Sequence, residues 1–347
     1  MAVASLRRKR STWRIERGID DTPCSAIAVR TAARYQGLWR QGMIRLVGKQ
    51  ITLGLLVVLS AITLTFAVVR LSGDPTSLIL PQDATTEQRD ALRHSLGLDQ
   101  PVIVQYVHYL GGAAHGDFGD SYFDGDSVTG VIMRRLPNTL LLAASALLLA
   151  VVLAIPLGVL AAVWQGGVLD RTVQVISVIG ASTPSFWVGL LLLQIFAMQL
   201  EWLPTYGVGG ITNLILPSTT LALYVFPRLA RLTRSSMLDV LPAGFITAAR
   251  AKGMPERRVI WRVLLRNGIV PVIALLALEI GALFGGAVLT ETVFAWPGIG
   301  QLAITSIERR DFPLVQGVVA YVALIFSVIT VVAEIAVGLA NPRLRHR

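Results

Sequence analysis

The chain has 347 residues, of which 54% are hydrophobic and only 15% are charged, and its formal net charge is +10. Soluble globular domains carry about 25% charged residues, so this composition excludes an ordinary water-facing surface and indicates a membrane protein. The basic excess does not indicate nucleic-acid binding, because the basic residues flank apolar segments, where they set membrane orientation. A single cysteine, Cys24, excludes an internal disulfide and a cysteine-rich metal site.

The N-terminal stretch, residues 1–49, is polar and contains eleven Arg or Lys residues against three Asp or Glu residues. It is predicted to be a cytoplasmic tail, because a secretory signal would place its apolar run closer to Met1. Within it, Ala28 to Leu46 has the pattern of a basic amphipathic helix on the membrane surface. A disordered tail is consistent with the same residues.

The first predicted membrane span, residues 50–71, is an apolar run long enough to cross about 30 Å of hydrocarbon. Residues 72–137 follow as a predicted extracytoplasmic helical region with nine acidic and four basic residues. Two short helices are expected there, Glu87 to Gly97 and Val102 to Leu110, since apolar residues recur on one face of each.

Five further spans are predicted between residues 138 and 341, where apolar runs alternate with short polar loops. They cover about 139–163, 173–200, 214–235, 268–290 and 313–340. The fourth has the weakest pattern, because it contains two prolines and runs into Arg228. A loop at 236–267 separates the fourth and fifth spans, and residues 342–347 form a C-terminal tail.

The charge of the loops predicts the orientation of the six spans. The N-terminal tail is +8, and the segment from Arg228 to Arg266 has nine basic and two acidic residues. If the chain crosses six times, both segments lie on the same side, opposite the acidic 72–137 region. The positive-inside rule then places the loop 236–267 and both termini in the cytoplasm.

The loop 236–267 predicts two short helices joined by a tight elbow. A helical stretch of small residues stops at Gly253, which can adopt a positive φ, and Pro255 then starts a second helix. Small side chains at Ala248, Ala249 and Ala251 would let another protein approach closely. A solvated basic connector that contacts anionic lipid is the alternative interpretation.

In this loop the chain resembles the permease subunits of ABC-type importers. The pattern is a small residue, two alanines, three residues and a glycine, from Thr247 to Gly253, although family members often have Glu where this chain has Thr247. Other segments resemble the dipeptide, oligopeptide and nickel branch of that family, in the same order, and the resemblance covers about Gln41 to Pro342. They are Gly73-Asp74-Pro75, Leu96 to Pro101, Gly116 to Ser121, Arg135 to Leu140, Thr290 to Gly300, and Arg310-Asp311-Phe312-Pro313.

The resemblance implies an all-α integral membrane protein with the six-helix type I importer fold, in the plasma or inner membrane of a prokaryote. It implies a non-catalytic permease subunit that works with a second homologous permease, two ATPase subunits or one fused ATPase, and an extracytoplasmic solute-binding protein. ATP and Mg would be used by the partners, because this chain has no phosphate-binding Gly-x-x-x-x-Gly-Lys motif. The residues implied to couple to the ATPase are Thr247, Ala248, Ala249, Arg250, Ala251, Lys252, Gly253 and Pro255.

Three features of the predicted spans are candidates for the transport pathway. Glu279 lies in the middle of the fifth span, where an ionisable group is costly and by default faces the bundle interior; a protonated or hydroxyl-bonded structural role is the alternative. Gly281, Gly285 and Gly286 are expected to pack against the partner permease. Thr183-Pro184-Ser185 interrupts the third span and is a candidate hinge or pathway lining, or a simple kink.

Charged residues predicted on the outer side are candidates for docking the solute-binding protein, and a solvated charged surface is the alternative. The candidates are Asp117, Asp120, Glu291, Arg309, Arg310 and Asp311. A secondary transporter or channel without ATPase partners remains the alternative function, although such proteins usually show more intramembrane charge or inverted repeats. An intramembrane enzyme is disfavoured, because no His or Lys lies in the spans to act as a base.

Overall fold

A computed structural model describes residues 24–71, 76, 80, 84–95, 97–207 and 209–340. The chain divides into two compact units, Met1–Arg45 and Leu46–Arg347. Regular structure in the described residues is helical, apart from an isolated bridge between Asp120 and Ser127, so the all-α class is confirmed. The amphipathic face predicted over Ala28 to Leu46 depends on side chains outside the described part.

The helices are numbered here in chain order. The first six are α1 (Cys24–Leu71), α2 (Thr86–Ser95), α3 (Val102–Ala114), α4 (Val128–Val163), α5 (Val168–Ser182) and α6 (Ser185–Leu192), which continues as a π-helical segment, Leu193–Gln199. They are followed by α7 (Ile211–Val240), α8 (Gly244–Ala251), α9, α10 (Val270–Val293), α11 (Ile299–Glu308) and α12 (Phe312–Ala340). Helix α9 consists of three consecutive pieces, Glu256–Arg258, the π-helical Val259–Leu264, and Leu265–Gly268.

Within the described residues, four helices are long and apolar enough to cross a membrane by themselves. They are Val47–Leu71, Val128–Val163, Val270–Val293 and Phe312–Ala333. The pair α5 and α6 meets the same criterion jointly, but its two halves are bent by 106°. Helix α7 occupies the predicted fourth span without meeting the criterion, since arginines occupy its second half. The sixth crossing therefore stays a prediction.

The core lies where α4, α7 and α10 meet. Leu142, Leu221, Val225 and Leu283 are buried there together with Trp296, which follows α10. Helices α4 and α7 approach closely because Gly158 has no side chain: a Cβ at this position would lie 2.7 Å from the Cβ of Thr233. Such close contact is typical of membrane bundles. Within lipid the hydrophobic effect does not drive helices together, so their association depends on tight packing, which small residues allow.

The helical region between the first two spans packs on the end of the first span. The hydroxyl of Tyr106 on α3 lies 2.6 Å from the hydroxyl of Thr63 on α1. The ring of Phe66 lies 5.3 Å from that of Tyr106 and 5.7 Å from that of Tyr109. These contacts join α3 to α1, so the region between the first two spans is attached to the bundle instead of forming a free linker.

Candidate functional site

The elbow is the segment from α8 to the first turn of α9, residues 244–258. Helix α8 ends at Ala251, and Gly253 has φ +73°, a left-handed conformation that a residue with a Cβ adopts only with strain. The N–H of Gly253 donates to the Arg250 carbonyl at 2.9 Å, and the N–H of Met254 donates to the Ala249 carbonyl at 3.3 Å. Pro255 then precedes the next helix. The two helices and their tight turn lie where the sequence predicts them.

The two faces of α8 have different surroundings. Ile246 and Ala249 are buried against the rest of the chain, where they join Val159 at the end of α4 and Met237 at the end of α7. Ala249 is therefore not available to another protein, and its predicted role in close approach is corrected. The remaining predicted coupling residues are exposed: Thr247, Ala248, Arg250, Ala251, Lys252, Gly253 and Pro255.

An ion pair holds the elbow across its turn. The guanidinium of Arg250 donates to the two carboxylate oxygens of Glu256, at 2.6 Å and 3.3 Å. These hydrogen bonds raise the pKa of Arg250 above its ordinary value. Both side chains are about half exposed, so the pair orients the elbow and contributes little to stability.

The break between α5 and α6 borders a cavity of about 250 Å³, called here the break cavity. Thr183 and Ser185 line it from the break, and Thr220, Tyr224 and Pro227 line it from α7. Pro184 itself is exposed. The bend of 106° at this break is larger than the bend of a proline kink. Its irregular backbone borders a cavity, as expected for a non-helical segment at membrane depth.

Glu279 lies inside the bundle and is only 3% exposed. Its two carboxylate oxygens accept hydrogen bonds from one nitrogen of Arg228, at 3.0 Å and 3.1 Å. The guanidinium of Arg228 also lies 4.4 Å from the ring centroid of Tyr224, which lines the break cavity. The partner of the carboxylate is thus Arg228, and the alternative of a bond to a neighbouring hydroxyl does not describe it. Sequence reasoning missed Arg228, because an arginine at the end of a span reads as an orientation signal.

The three glycines of α10 have different surroundings. A Cβ at Gly281 would lie 2.8 Å from the ring of Phe326 on α12, and one at Gly286 would lie 3.2 Å from Leu221 on α7. Gly281 is buried against α12, so its expected packing on a partner permease is corrected. Gly286 is only partly buried, and its packing on a partner stays a prediction. A Cβ at Gly285 meets nothing within 4 Å, and this glycine is exposed.

Glu291 is fully buried, so the docking role predicted for it is wrong. Its carboxylate accepts hydrogen bonds from the hydroxyl of Thr139 at 2.7 Å and from the N–H groups of Gly300 and Gln301 at 2.7 Å and 3.1 Å. Those N–H groups belong to the first turn of α11, where a helix N-terminus stabilises negative charge. Glu291 is therefore an internal cap that joins α4, α10 and α11.

Asp311 is also buried, and its predicted docking role is wrong for a similar reason. Its carboxylate accepts from the hydroxyl of Ser121 at 2.5 Å and from the N–H of Leu314 at 3.4 Å, in the first turn of α12. The other predicted docking residues, Asp117, Asp120, Arg309 and Arg310, are exposed. Among the described residues, no three His, Cys, Asp or Glu side chains are grouped to hold a metal ion.

A third ion pair, not predicted from the sequence, joins the first turn of α5 to the second half of α7. Arg234 donates to both carboxylate oxygens of Asp170, at 2.5 Å and 2.8 Å, and Asp170 also accepts from Gln174 and from the N–H of Gly166. Asp170 is 1% exposed. A bidentate pair with both oxygens satisfied is the arrangement in which a buried charge is tolerated.

The long apolar helices, the elbow and the broken span define a transport protein of the membrane. A family model described as the inner membrane component of binding-protein-dependent transport systems matches residues 154–346, more than half of the chain. The model of the N-terminal membrane component of such systems matches residues 42–143. The chain belongs to this family: it is a permease subunit of a binding-protein-dependent ABC importer, as the resemblance implied.

Individual relatives and a solved structure agree with that assignment. The chain is 39% identical to the glutathione transport system permease protein GsiC of Escherichia coli (strain K12), over 80% of this chain and 90% of that protein. The protein of the same name from Shigella dysenteriae serotype 1 matches equally well. A chain of the MetNI methionine ABC transporter, solved in an inward-facing conformation, is similar in fold, with a TM-score of 0.53 and 20% identity over 61% of this chain and 96% of that chain. The type I importer fold is thereby confirmed.

Proposed function

We propose that this permease forms half of a translocation pathway for short peptides or a similar small solute, and that its elbow couples the pathway to ATP hydrolysis. In this proposal the other half is a second homologous permease. Two ATPase subunits, or one fused ATPase, use ATP and Mg, and an extracytoplasmic solute-binding protein delivers the solute. Both chain termini lie in the cytoplasm, on the side of the ATPases.

The difference in burial between the two faces of α8 is the observation that carries the proposal. Ala248 and Ala251 present small exposed side chains next to the exposed Thr247 and Lys252, which leaves a partner's cleft room to close on the helix backbone. The opposite face of α8 is fixed to α4 and α7 by Ile246 and Ala249. A force applied to the exposed face therefore reaches the ends of two bundle helices directly.

Helix α7 connects the elbow to the break cavity. Its inner end holds Met237, which packs with α8, while Tyr224 and Thr220 line the break cavity further along the same helix. Thirty residues of α-helix span about 45 Å, enough to cross the hydrocarbon layer. Alternating access requires an energy difference between two states, and one continuous helix that contacts both sites supplies a route for it.

The name of the relatives supports the proposed class of solute. GsiC is called a glutathione transport permease, and glutathione is a short peptide. The break cavity is lined mostly by apolar side chains, as pockets for small molecules usually are, with Thr183, Ser185 and Tyr224 among them as residues that carry a hydroxyl group. Glu279 and Arg228 lie next to that cavity as a paired charge, which provides polarity without a net charge.

The test compares two faces of the chain with the same substitution. Ala248→Arg and Ala251→Arg are each introduced into the transporter complex, and Ala114→Arg, at the exposed end of α3, serves as the matched control. We expect both elbow variants to lose solute-stimulated ATP hydrolysis and uptake in proteoliposomes, because a bulky cation blocks the cleft. The control variant should retain both activities.

The same measurement separates the proposal from the alternative of a secondary transporter or channel. If either elbow variant retained full, ATP-dependent uptake, the elbow would not be the coupling contact. Uptake by this chain reconstituted without any ATPase subunit would instead support the alternative.

A further inference from the structure

The buried ion pair of Asp170 and Arg234, called here the α5–α7 pair, joins two helices that both line the break cavity. On α7, Arg234 lies between Met237, which packs with α8, and Tyr224, which lines the cavity. On α5, Asp170 lies in the first turn, and the other end of the helix reaches the cavity at Gly180. The pair therefore connects the two helices at their ends nearer to the elbow.

Helix α5 has no side chain in the apolar cluster that buries α8. The buried members of that cluster belong to α4, α7, α8 and α9. A displacement of the elbow therefore reaches α5 through α7 or through the turn that follows α4. Asp170 contacts both neighbours, because its carboxylate accepts from Arg234 on α7 and from the N–H of Gly166 in that turn.

The other contacts described between α5 and α7 are apolar or steric. Val173 is buried in a cluster with Leu229, and a Cβ at Gly180 would lie 2.9 Å from Cγ of Pro227. Ser177, the other fully buried polar side chain of α5, has no hydrogen-bond partner among the described residues. Apolar contact holds two helices together without direction, so it does not fix their axial register.

The α5–α7 pair is directional, and this is what distinguishes it from the apolar contacts. Nε and a terminal nitrogen of Arg234 donate to the two carboxylate oxygens of Asp170, an arrangement that fixes both distance and orientation. Asp170 is 1% exposed, and the side chain of Arg234 is 20% exposed. Sliding of one helix along the other would leave a buried carboxylate without its cation, which is strongly unfavourable. The pair therefore selects one register.

We infer that Asp170 and Arg234 are positioning residues for transport: they make α5 follow α7 when the elbow moves, so that both walls of the break cavity shift together. This inference rests on the proposed function and names the contact by which a force on the elbow reaches the second wall. Without the pair, α7 moves at the elbow while α5 slides along it, and the break keeps its conformation.

The experiment measures the conformation of the break in the full transporter complex in lipid nanodiscs, with its solute-binding protein. A bimane fluorophore is attached to Thr183→Cys in a Cys24→Ser background with cysteine-free partner subunits. Its emission is compared without nucleotide and after trapping with ATP and vanadate. We expect Asp170→Asn and Arg234→Gln to reduce the wild-type emission change at least about threefold. ATP hydrolysis should stay close to the wild-type rate, because the contacts of α8 are unchanged.

Matched controls carry the same substitutions at exposed positions of α7. Arg231 donates only to the Pro227 carbonyl of its own helix, and Asp239 is exposed. Arg231→Gln and Asp239→Asn should therefore show the wild-type emission change. Arg234→Lys keeps the positive charge but loses the bidentate geometry, so its emission change should lie between those of the wild type and Arg234→Gln.

A double variant separates positioning from a purely structural role. Asp170→Leu with Arg234→Met leaves no buried charge unpaired, and such apolar replacements of buried ion pairs often preserve stability. We expect its thermal midpoint to be close to that of the wild type and its emission change to remain reduced. If the pair served stability alone, the double variant would regain the wild-type emission change.

The outcomes distinguish this inference from the function on which it rests. A wild-type emission change in both single variants, or in the double variant, would overturn the role of the α5–α7 pair and leave the coupling by the elbow intact. Absence of any nucleotide-dependent change in the wild type would contradict the proposed coupling of the elbow to the break cavity, and the positioning role with it.

Discussion

Gly253 and Gly244 differ in backbone conformation but have similar space around them. A Cβ at either position would meet nothing within 4 Å, yet only Gly253 has a positive φ. Gly253→Ala should therefore strain the elbow by about 1–2 kcal/mol and lower ATP-dependent uptake by up to about tenfold, while Gly244→Ala should have little effect. Uptake and solute-stimulated ATP hydrolysis of both variants in proteoliposomes check this prediction. Equal activity of the two variants would show that the turn at Gly253 does not limit coupling.

The pair formed by Arg228 and Glu279 can be tested by a double-mutant cycle. Glu279 is almost fully buried and the Arg228 side chain is 40% exposed, so loss of one partner should cost about 2 kcal/mol, between the values for exposed and buried pairs. We expect Glu279→Gln and Arg228→Gln to lower thermal stability individually, and the double variant to lose less than the sum of the two. Additive losses, measured by thermal unfolding of the purified complex, would show that the two side chains are not coupled.

At the scale of the helices, the positions where helices end could be predicted from the sequence when local chemistry determines them. The contacts of their side chains with other helices could not. Gly253 and Pro255 predict the elbow, because a positive φ and a missing N–H act on the immediate backbone. The partner of Glu279 lies on another helix, and no local rule identifies it. The predictions for Glu291 and Asp311 failed because a carboxylate near the end of a predicted span is expected to be exposed to solvent. In the structure, the first turns of α11 and α12 cover these two groups.

The cap of α11 gives a further test. In Glu291→Gln the amide has one acceptor oxygen in place of two, so it cannot accept from both the Thr139 hydroxyl and the N–H groups of Gly300 and Gln301, and at least one buried donor is left unpaired, at a cost of about 1–3 kcal/mol. We expect a lower thermal midpoint and faster hydrogen exchange in the first turn of α11. Glu308→Gln, at the exposed other end of the same helix, is the control and should change neither quantity. Unchanged exchange in Glu291→Gln would contradict the capping role.

For the complete chain, family, fold and helical content were all predicted from the sequence, because they depend on patterns repeated over hundreds of residues. The number of crossings is the part that hydropathy alone does not determine. Helix α7 carries Arg228, Arg231 and Arg234, and two of these form ion pairs with residues of other helices. Their charge is compensated within the bundle, and the mean hydropathy of a single helix does not reflect that compensation.

Cysteine labelling tests the six predicted crossings. In a Cys24→Ser background, single cysteines replace Asp124, Tyr206 and Lys252, all of which are exposed. We expect an impermeant maleimide to label positions 124 and 206 in intact spheroplasts and position 252 only after permeabilisation. If positions 206 and 252 reacted from the same side, α7 would not cross the bilayer, and the predicted orientation of the elbow would have to be revised.

The hydrogen bonds of Asp311 tie the loop that contains Ser121 and Tyr122 to the head of α12. The exposed aspartates Asp117 and Asp120 flank this tether closely in sequence. Any tilt of α12 would therefore move that loop together with the two aspartates. In the orientation proposed above, this acidic surface faces the solute-binding protein, so its contact with that protein would differ between the states of the bundle.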